Sequence, residues 1–559
     1  MKNTLLKSIF TFLFVCAPIL SLLANDPTIQ KENGITRLMV DGKPFIMLSG
    51  ELHNSTSSTL EYLEPMMMKM KAMNLNSVIA SISWEQFEPK EGTYDYTMID
   101  GIIKQAEKYN LKVCVIWFAT WKNGQSTYAP GWVEKDTKRF FRIKDKDGFN
   151  TNIISPFSEH AKLADAKAFA ALMKRIKEVD KNKMVIVMQP ENEVGCFQDI
   201  DYGKEAQDQY KKDVPATFLS YIKKNESKLM TVLKDRWVEN GKKNKGSWIE
   251  VFGDNPDSKE FFMAWQYATY IQEVVRQGKL EYTIPMYVNA WIVQSEKELP
   301  GSYPCGGPVS KVMDVYKAAA PAIDWCSPDI YLATYKEVCA MYLRNDNPLF
   351  IPETIRDAGR VFYAFAELNA MCVAPFGIED GASDMQLISG YKVLNELLPL
   401  IIQYQGTGKM RGYLKQKGEK GTSFTMGNYI VNITYQGNED PSYGLVIQTG
   451  PDEFILSGMR SSVWFSAIDP QQKTGIAYTW EGGYTNGTWK TLRWLNGDEA
   501  SADGFVMYGR KSYYAKTLTQ AGELPPQPIE GMEQKAGTEV KEIIEPGIYQ
   551  VKLYTFPKK

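Results

Sequence analysis

The chain has little histidine and no paired-cysteine motif. Its 559 residues include two histidines, His53 and His160, and seven cysteines that form no C-x-x-C pair. Catalytic zinc is usually held by several histidines, and zinc knuckles need closely spaced cysteines. The sequence therefore predicts no metal site and no cofactor.

The chain also lacks an excess of charge of one sign. Its 64 Lys and Arg stand against 66 Asp and Glu, which gives a formal net charge of -2. Proteins that bind nucleic acid or anionic membranes are usually basic, so neither partner is expected. Hydrophobic residues make up 44% of the chain and charged residues 23%. These shares are typical of a folded protein, and the oligomeric state stays open.

Long apolar runs are missing after the N-terminus. There, Lys2 and Lys7 precede an apolar stretch from residue 9 to 23, and Ala24 follows it. A basic start, a short apolar stretch and a small residue are typical of a signal peptide, and the stretch is too short to span a bilayer comfortably. We predict a signal peptide at 1–24, export to the periplasm or cell surface, and no integral membrane span.

Eight apolar, strand-like runs alternate with helical patterns between about residues 40 and 380. The runs are Pro44–Leu52, Asn76–Trp84, Leu111–Trp121, Met184–Asn192, Ile284–Ile292, Ile323–Leu332, Pro348–Thr354 and Met371–Glu379. The helical patterns include Leu60–Met73, Met98–Tyr109, Ala161–Val179 and Phe262–Gln277. This alternation predicts an α/β fold, a (β/α)8 TIM barrel at 25–395. An open doubly wound sheet is the alternative, but no G-x-G-x-x-G follows the first strand.

Two further stretches differ from this alternation in their pattern of polar and apolar residues. A polar, lysine-rich insertion, Asp199–Asp257, follows the fourth strand, where insertions in barrels usually build the mouth of the site. After about residue 395, short alternating runs separated by turn residues predict an all-β sandwich or jelly-roll domain at 396–559. Within it, Glu523–Gly537 contains three prolines and is predicted to be a surface loop.

Carboxylates stand at the ends of two of the predicted strands. Glu191-Asn192-Glu193 ends the fourth strand, and Glu353 ends the seventh. In a barrel these ends lie across the mouth from each other, at the face where active sites form. A single glutamate at a strand end is usually a surface or salt-bridged residue. Two in this placement fit glycoside hydrolysis, in which one carboxylic acid protonates the leaving oxygen and a carboxylate attacks the anomeric carbon.

Four motifs resemble glycoside hydrolase family 35, the β-galactosidase family. Gln189-Pro190-Glu191-Asn192-Glu193-Val194-Gly195 resembles Q-x-E-N-E-x-G, and Ser49-Gly50-Glu51-Leu52-His53 resembles S-G-S-x-H. Trp84-Glu85-Gln86-Phe87-Glu88-Pro89 resembles W-N-x-H-E-P, and Ala119-Thr120-Trp121-Lys122-Asn123-Gly124 resembles A-E-W-N-x-G-G. The resemblance covers the barrel, is most specific in the fourth strand, and looks closest to an exported bacterial branch with its own C-terminal β-domain.

The resemblance implies roles for individual residues. Glu193 would be the acid/base, Glu353 the nucleophile, and Asn192 a hydrogen-bond partner of the sugar 2-hydroxyl. Tyr331, at the end of the sixth strand, would orient the nucleophile. Glu191 points the other way along its strand and is interpreted as structural.

Further substrate contacts are predicted at the other strand ends. These candidates are Glu51, His53, Asn54, Glu88, Thr120, Trp121 and Trp291. Glu88 fits a loop cap equally well, His53 fits a supporting hydrogen bond better than proton transfer, and tryptophans near strand ends often belong to the core. Departures from the family pattern include Thr120, which stands in place of a glutamate, and Asn54, which stands in place of an aromatic residue; the aromatic signature usual after the nucleophile is also missing.

Together these patterns predict a retaining exo-β-glycosidase that acts on an oligosaccharide. The favoured interpretation is a β-galactosidase for plant-type oligosaccharides such as xyloglucan fragments, with a role in polysaccharide degradation. One alternative is an exo-enzyme for another β-sugar, such as glucosamine or arabinopyranose. Another is a non-catalytic sugar-binding protein, against which both glutamates argue. Trp480, Trp489 and Trp494 could mark a lectin site, but a supporting β-domain is preferred.

The export prediction can be checked directly. We expect N-terminal sequencing of the exported protein to begin near Asn25, because cleavage should follow the small residue Ala24. A mature chain that began at an acylated Cys16 would indicate a lipid anchor instead. An intact Met1 on protein recovered from the periplasm or cell surface would contradict export through a signal peptide.

Overall fold

A computed structural model of the chain describes residues 24–295, 297–437, 441–485, 487–519, 522–529 and 540–559. The predicted signal peptide therefore lies almost wholly outside the described residues. Within them, no helix combines the length and the apolar character that crossing a membrane requires.

Residues 24–404 form an α/β part. Its strands are β1 Thr28–Glu32, β2 Ile35–Val40, β3 Lys43–Phe45, β4 Met47–Leu48, β5 Ser77–Ser83, β6 Lys112–Lys122, β7 Arg142–Lys144, β8 Asn150–Ile154, β9 Val185–Asn192, β10 Tyr287–Trp291, β11 Trp325–Ile330, β12 Phe350–Thr354 and β13 Cys372–Pro375. Its helices are α1 Leu60–Ala72, α2 Trp84–Phe87, α3 Thr97–Tyr109, α4 Gly131–Lys135, α5 Glu159–Val179, α6 Lys204–Tyr210, α7 Ala216–Lys224, α8 Thr231–Glu239, α9 Trp248–Phe252, α10 Pro256–Glu281, α11 Met313–Ala319, α12 Tyr335–Tyr342, α13 Ala358–Ala366 and α14 Met385–Tyr404.

Each of the eight predicted apolar runs contains a parallel strand, which confirms those predictions. Five strands form one sheet in the order β10-β11-β12-β13-β4, and three form another in the order β5-β6-β9. Parallel bridges Glu51↔Ile79 and Met188↔Met286 link the two sheets at both margins. The carboxyl ends of all eight strands therefore share one face of the α/β part.

Local sequence explains where the helices begin and end. In α3, the buried residues Ile99, Ile102, Ile103 and Ala106 follow the spacing of one helical face. The helix ends at Asn110, whose left-handed conformation is typical of a helix C-terminus. The insertion after β9 forms α6 to α9, and each of these helices buries at least two side chains against the α/β part.

The C-terminal part consists of antiparallel strands. They are β14 Met410–Leu414, β15 Gly421–Met426, β16 Tyr429–Tyr435, β17 Tyr443–Gln448, β18 Glu453–Met459, β19 Ser461–Ala467, β20 Gln472–Thr485, β21 Thr488–Leu495, β22 Gly504–Met507, β23 Arg510–Thr519, β24 Gly522–Ile529, β25 Val540–Glu545 and β26 Gly547–Pro557. A six-stranded sheet, β14-β17-β18-β26-β20-β21, and a four-stranded sheet, β15-β16-β19-β22, enclose a core of their own. Tyr443 of the larger sheet also packs against Phe362 of α13, so the two parts of the chain share apolar contacts.

Two sequence predictions are corrected here. The boundary at 395/396 falls inside α14, so the change from α/β to β structure comes after Tyr404. The predicted loop Glu523–Gly537 begins instead as strand β24, and residues 530–537 lie outside the described residues. The prolines of β24 are tolerated because β24 pairs only with β23 and is an edge strand.

Candidate active site

Three carboxyl groups converge where β9, β11 and β12 end. Glu193 follows β9 directly, Asp329 lies in β11, and Glu353 lies beside it in β12, at the paired position Asp329↔Glu353. One carboxylate oxygen from each side chain lies within 4.8 Å of the others. All three residues are at most 5% exposed. The convergence predicted for Glu193 and Glu353 is therefore present, and Asp329 is an addition to the predicted pair.

Burial dominates the electrostatics of this cluster. Removal from water raises the pKa of Glu193 to about 7, and the neighbouring Glu353 adds to the rise. Lys122 and a hydrogen bond with Asp329 act in the opposite direction. Burial also raises the pKa of Asp329 well above its usual range, with further contributions from Glu353 and Glu193. Near neutral pH the cluster therefore holds at least one proton.

Asn289 of β10 organises the residues around Glu193. Its Oδ1 accepts a hydrogen bond from the Glu193 backbone N–H at 3.0 Å. Its Nδ2 donates to Asp329 Oδ2 at 2.8 Å and to Asn192 Oδ1 at 3.0 Å. Gln189 also donates to Asn192 Oδ1, at 2.9 Å. One amide side chain thus fixes the backbone of Glu193 and the side chains on either side of it.

The backbone at the end of β9 is in a strained conformation. Glu191 has a φ of 64° and Glu193 a φ of 44°, in the left-handed region that non-glycine residues seldom adopt. Such a conformation costs about 1–3 kcal/mol and persists only where surrounding contacts enforce it. The Glu191 carboxylate accepts the backbone N–H groups of Thr120 and Trp121 at 3.2 and 2.7 Å, which supplies that enforcement. Glu191 therefore has the structural placement that the sequence predicted.

Tyr331 is the partner of Glu353. Its hydroxyl donates a hydrogen bond to Glu353 Oε2 at 2.8 Å. Burial and the charge of Glu353 raise the pKa of Tyr331 above its usual range, so the hydroxyl keeps its proton. The ring is 46% exposed and stands at the opening of the site.

Aromatic and polar side chains border the opening. Trp291, half-buried, meets the exposed ring of Phe197 edge-on, with the ring centroids 5.7 Å apart. His53 Nε2 lies 2.8 Å from Asp380 Oδ2, and a Cβ at Gly377 would lie only 2.6 Å from its ring. This packing holds the imidazole in place. Asn54 follows His53 and is half-buried.

Three predicted sugar-binding residues point into the protein instead, and those predictions are corrected. The Glu88 carboxylate accepts hydrogen bonds from the Trp84 indole and the Gly92 backbone, so it holds its own loop. Thr120 is buried and donates to Asp165, while the buried Trp121 donates to the Ile154 carbonyl. For Thr120 and Trp121 the cause is a shift in the register of the β6–β9 pairing. The shift lies between Trp117 and Lys122, and it turns both side chains away from the opening.

The same irregularity brings Lys122 into the site. Its backbone pairs with Asn192, and its side chain is 6% exposed and lies near the carboxyl groups. Sequence reasoning missed Lys122, Asn289, Asp329 and Phe197. Asp329 could have been found, because it is a carboxylate inside an apolar strand, and such a charge needs a partner or a use.

Comparisons with known proteins agree with the motifs. Residues 37–245 match the family model described as glycosyl hydrolases family 35. Residues 387–507 match a domain of unknown function, DUF5597. The matched stretches include Glu193 but not Glu353.

Individual relatives are distant. A β-galactosidase of Canis lupus familiaris is 26% identical over 188 residues, which cover 32% of this chain and 26% of that protein. A β-galactosidase of Xanthomonas manihotis is 26% identical over 174 residues, covering 29% of this chain and 26% of that protein. The alignments thus span about a quarter of the relatives' length. Among solved structures, a β-galactosidase from Rahnella sp. R3 has a TM-score of 0.42 at 16% identity, covering 65% of this chain and 57% of that one.

The electrostatics of the cluster predict a titration near neutral pH. We expect a carboxyl infrared band of Glu193 to disappear as pH rises through about 7, because burial keeps this acid protonated below that value. Difference spectra between pH 5 and 9, wild type against Glu193→Gln, measure it. Glu61→Gln, which changes a glutamate on the exposed side of α1, is the control, and it should show the same loss of the carboxyl band near pH 7 as the wild type. A step near pH 7 that survives in Glu193→Gln would contradict the assignment.

Proposed function

We propose that the protein is a retaining exo-β-glycosidase. The observation that carries the proposal is the close approach of Glu193 and Glu353, whose carboxylate oxygens come within 4.8 Å. Retaining glycosidases place their two carboxyl groups about 5–5.5 Å apart, whereas inverting enzymes leave about 6.5–9.5 Å for a water molecule. The match of residues 37–245 to a glycosyl hydrolase family supports the same conclusion.

The proposed reaction is a double displacement. Glu353 attacks the anomeric carbon while Glu193 gives its proton to the departing glycosidic oxygen. Glu193 then removes a proton from the water that hydrolyses the glycosyl-enzyme bond. A pKa of about 7 suits Glu193 to both steps, since the best proton-transfer group has a pKa near the working pH. The Tyr331 hydroxyl, which donates to Glu353, would hold the nucleophile's orientation.

The proposed scaffold is a closed (β/α)8 barrel followed by a β-sandwich. The bridges at both margins of the two parallel sheets support closure of the eight strands. The core enclosed between the two antiparallel sheets supports the sandwich. Export to the periplasm or cell surface remains part of the proposal, supported by the basic and apolar pattern of the N-terminus.

We propose a branched plant-type oligosaccharide, such as a galactosylated xyloglucan fragment, as the substrate. A cavity of about 910 Å³ lies between helix α8 of the insertion and the segments that follow β10 and β11. Ile292 and Leu332, which line it, directly follow Trp291 and Tyr331. A cavity in this position would hold sugars beyond the terminal one. Their binding energy can then lower the barrier to reaction.

The roles of the two glutamates can be separated by substitution. We expect Glu353→Gln to abolish turnover, because an amide cannot act as the nucleophile. Glu193→Ala should spare substrates with good leaving groups far more than natural ones, because such leaving groups need no proton. Azide should rescue Glu193→Ala and yield a β-configured glycosyl azide. An α-configured product, or substantial activity in Glu353→Gln, would overturn the assignment.

Substrate preference tests the cavity. We expect a higher kcat/KM for galactosylated xyloglucan fragments than for lactose or nitrophenyl β-galactoside. Met341→Ala, a change in an exposed side chain of the cavity lining, should reduce this preference. Leu280→Ala, at the exposed end of α10, is the matched control and should leave it unchanged. Equal kcat/KM values in the wild type would remove the xyloglucan proposal.

A panel of nitrophenyl glycosides separates the remaining alternatives. Faster hydrolysis of a β-glucosaminide or an α-arabinopyranoside than of the β-galactoside would indicate another terminal sugar. Sugar binding without hydrolysis of any member would indicate a non-catalytic binding protein.

A further inference from the structure

Glu51 lies beside the candidate nucleophile on a fixed stretch of backbone. It follows β4 and forms parallel bridges to Ile79 on one side and Phe376 on the other. Its N–H donates to the Pro375 carbonyl at 2.9 Å, and its carbonyl accepts the N–H of Ile378 at 3.2 Å. The direction of its side chain is therefore set by the strands around it.

The hydrogen bonding of the Glu51 carboxyl group is unusual for a buried acid. The residue is 1% exposed, and among the described residues neither carboxylate oxygen accepts a hydrogen bond from an N–H or a neutral O–H group. Its side chain instead meets the side chain of Glu353 at hydrogen-bond range. Two ionised carboxylates can only accept hydrogen bonds, so this contact requires a proton on one of them.

The groups around Glu51 decide where that proton is held. Lys122 of β6 is the cation facing it, and Glu193, Asp329, Tyr331 and Glu353 face it as acids. On its other side lie uncharged groups of the strand interior, Cys114, Tyr287 and Cys372. Burial, followed by the charge of Glu353, raises the pKa of Glu51 well above its usual range. The neutral form is therefore favoured at Glu51.

We propose that Glu51 is a positioning residue that, as a neutral carboxylic acid, donates a hydrogen bond to Glu353 and keeps a single negative charge on this pair of carboxyl groups. The proposal rests on the proposed glycosidase function. A second feature of the chain fits it. Where the resembling motifs have serine and asparagine, this chain has Glu51 and Lys122, so an added acid and an added base face each other.

Activity measurements distinguish a Glu51 side chain that donates a hydrogen bond from one that only fills space. Glu51→Gln keeps a neutral donor of similar shape, so its kcat/KM should stay within about threefold of the wild type. Glu51→Ala removes the donor and should lower kcat by about 10- to 100-fold, the range expected for a hydrogen bond to a charged group, with KM little changed. Equal losses in the two variants would overturn the donor role.

The pH profile tests the neutral state. If Glu51 is neutral, Glu51→Gln removes no charge, and the alkaline limb of kcat/KM should stay where the wild type has it. Loss of a negative charge would instead move that limb to lower pH, because Glu193 would lose its proton more easily. Such a shift would show that Glu51 is ionised and would overturn the proposal.

Stability gives a readout that does not need catalysis. A carboxyl group whose folded-state pKa is raised destabilises the folded protein as pH rises above its unfolded value of about 4.3. The unfolding constant of the wild type should therefore grow relative to that of Glu51→Gln by up to about tenfold per pH unit above that value. A ratio that does not change between pH 5 and 8 would overturn the neutral assignment.

Glu545→Gln is the matched control. Glu545 is a buried glutamate of the C-terminal part whose pKa is lowered, because Arg510 and Lys392 outweigh the effect of its burial. Its stability contribution is fully present above the unfolded pKa and is lost only as pH falls below that value, so the ratio of unfolding constants for this control should stay constant between pH 5 and 8. Its activity should match the wild type. If the wild type hydrolyses none of the glycosides while the stability trend holds, the proposed function fails and the neutral state of Glu51 stands.

Discussion

The repulsion among buried carboxyl groups is the constraint on which the rest of the site depends. Glu51, Glu193, Asp329 and Glu353 crowd together at one end of the strands, and each is at most 5% exposed. Lys122 is the cation that faces them. Because charges in a poorly hydrated environment repel strongly, the four groups cannot all be ionised near neutral pH. The cluster must hold protons, and a general acid needs a held proton.

The backbone holds these carboxyl groups close together although they repel one another. Glu353 and Asp329 are paired neighbours in parallel strands, so the ladder fixes their spacing. Glu193 depends on a left-handed backbone that Asn289 and the buried Glu191 hold in place. Strain of this kind is stored only where the surroundings enforce it, which accounts for the dense network of amide hydrogen bonds behind the acids.

Sequence patterns were sufficient for the parallel strands and for the two central glutamates. Eight apolar runs identify eight strands, and because parallel strands end at a common face, carboxylates at those ends must meet. The patterns were insufficient where pairing becomes irregular. Simple alternation along β6 does not reveal the register shift that buries Thr120 and admits Lys122. Asn289 looks like a polar interruption of a strand until its hydrogen bonds to Glu193, Asn192 and Asp329 are known.

The departures from the family motifs make physical sense as a redistribution of charge. At the end of β6 an acid is absent at Thr120, and a base appears two residues later at Lys122. At the end of β4 an acid appears at Glu51. In the motifs these three positions carry one negative charge, that of the glutamate, whereas here the charges of Glu51 and Lys122 cancel and Thr120 carries none. The site is therefore less negative than the motif by one charge when Glu51 is ionised, and by two charges when Glu51 is neutral. Because like charges repel strongly away from water, a less negative surrounding reduces the repulsion within this cluster of buried acids.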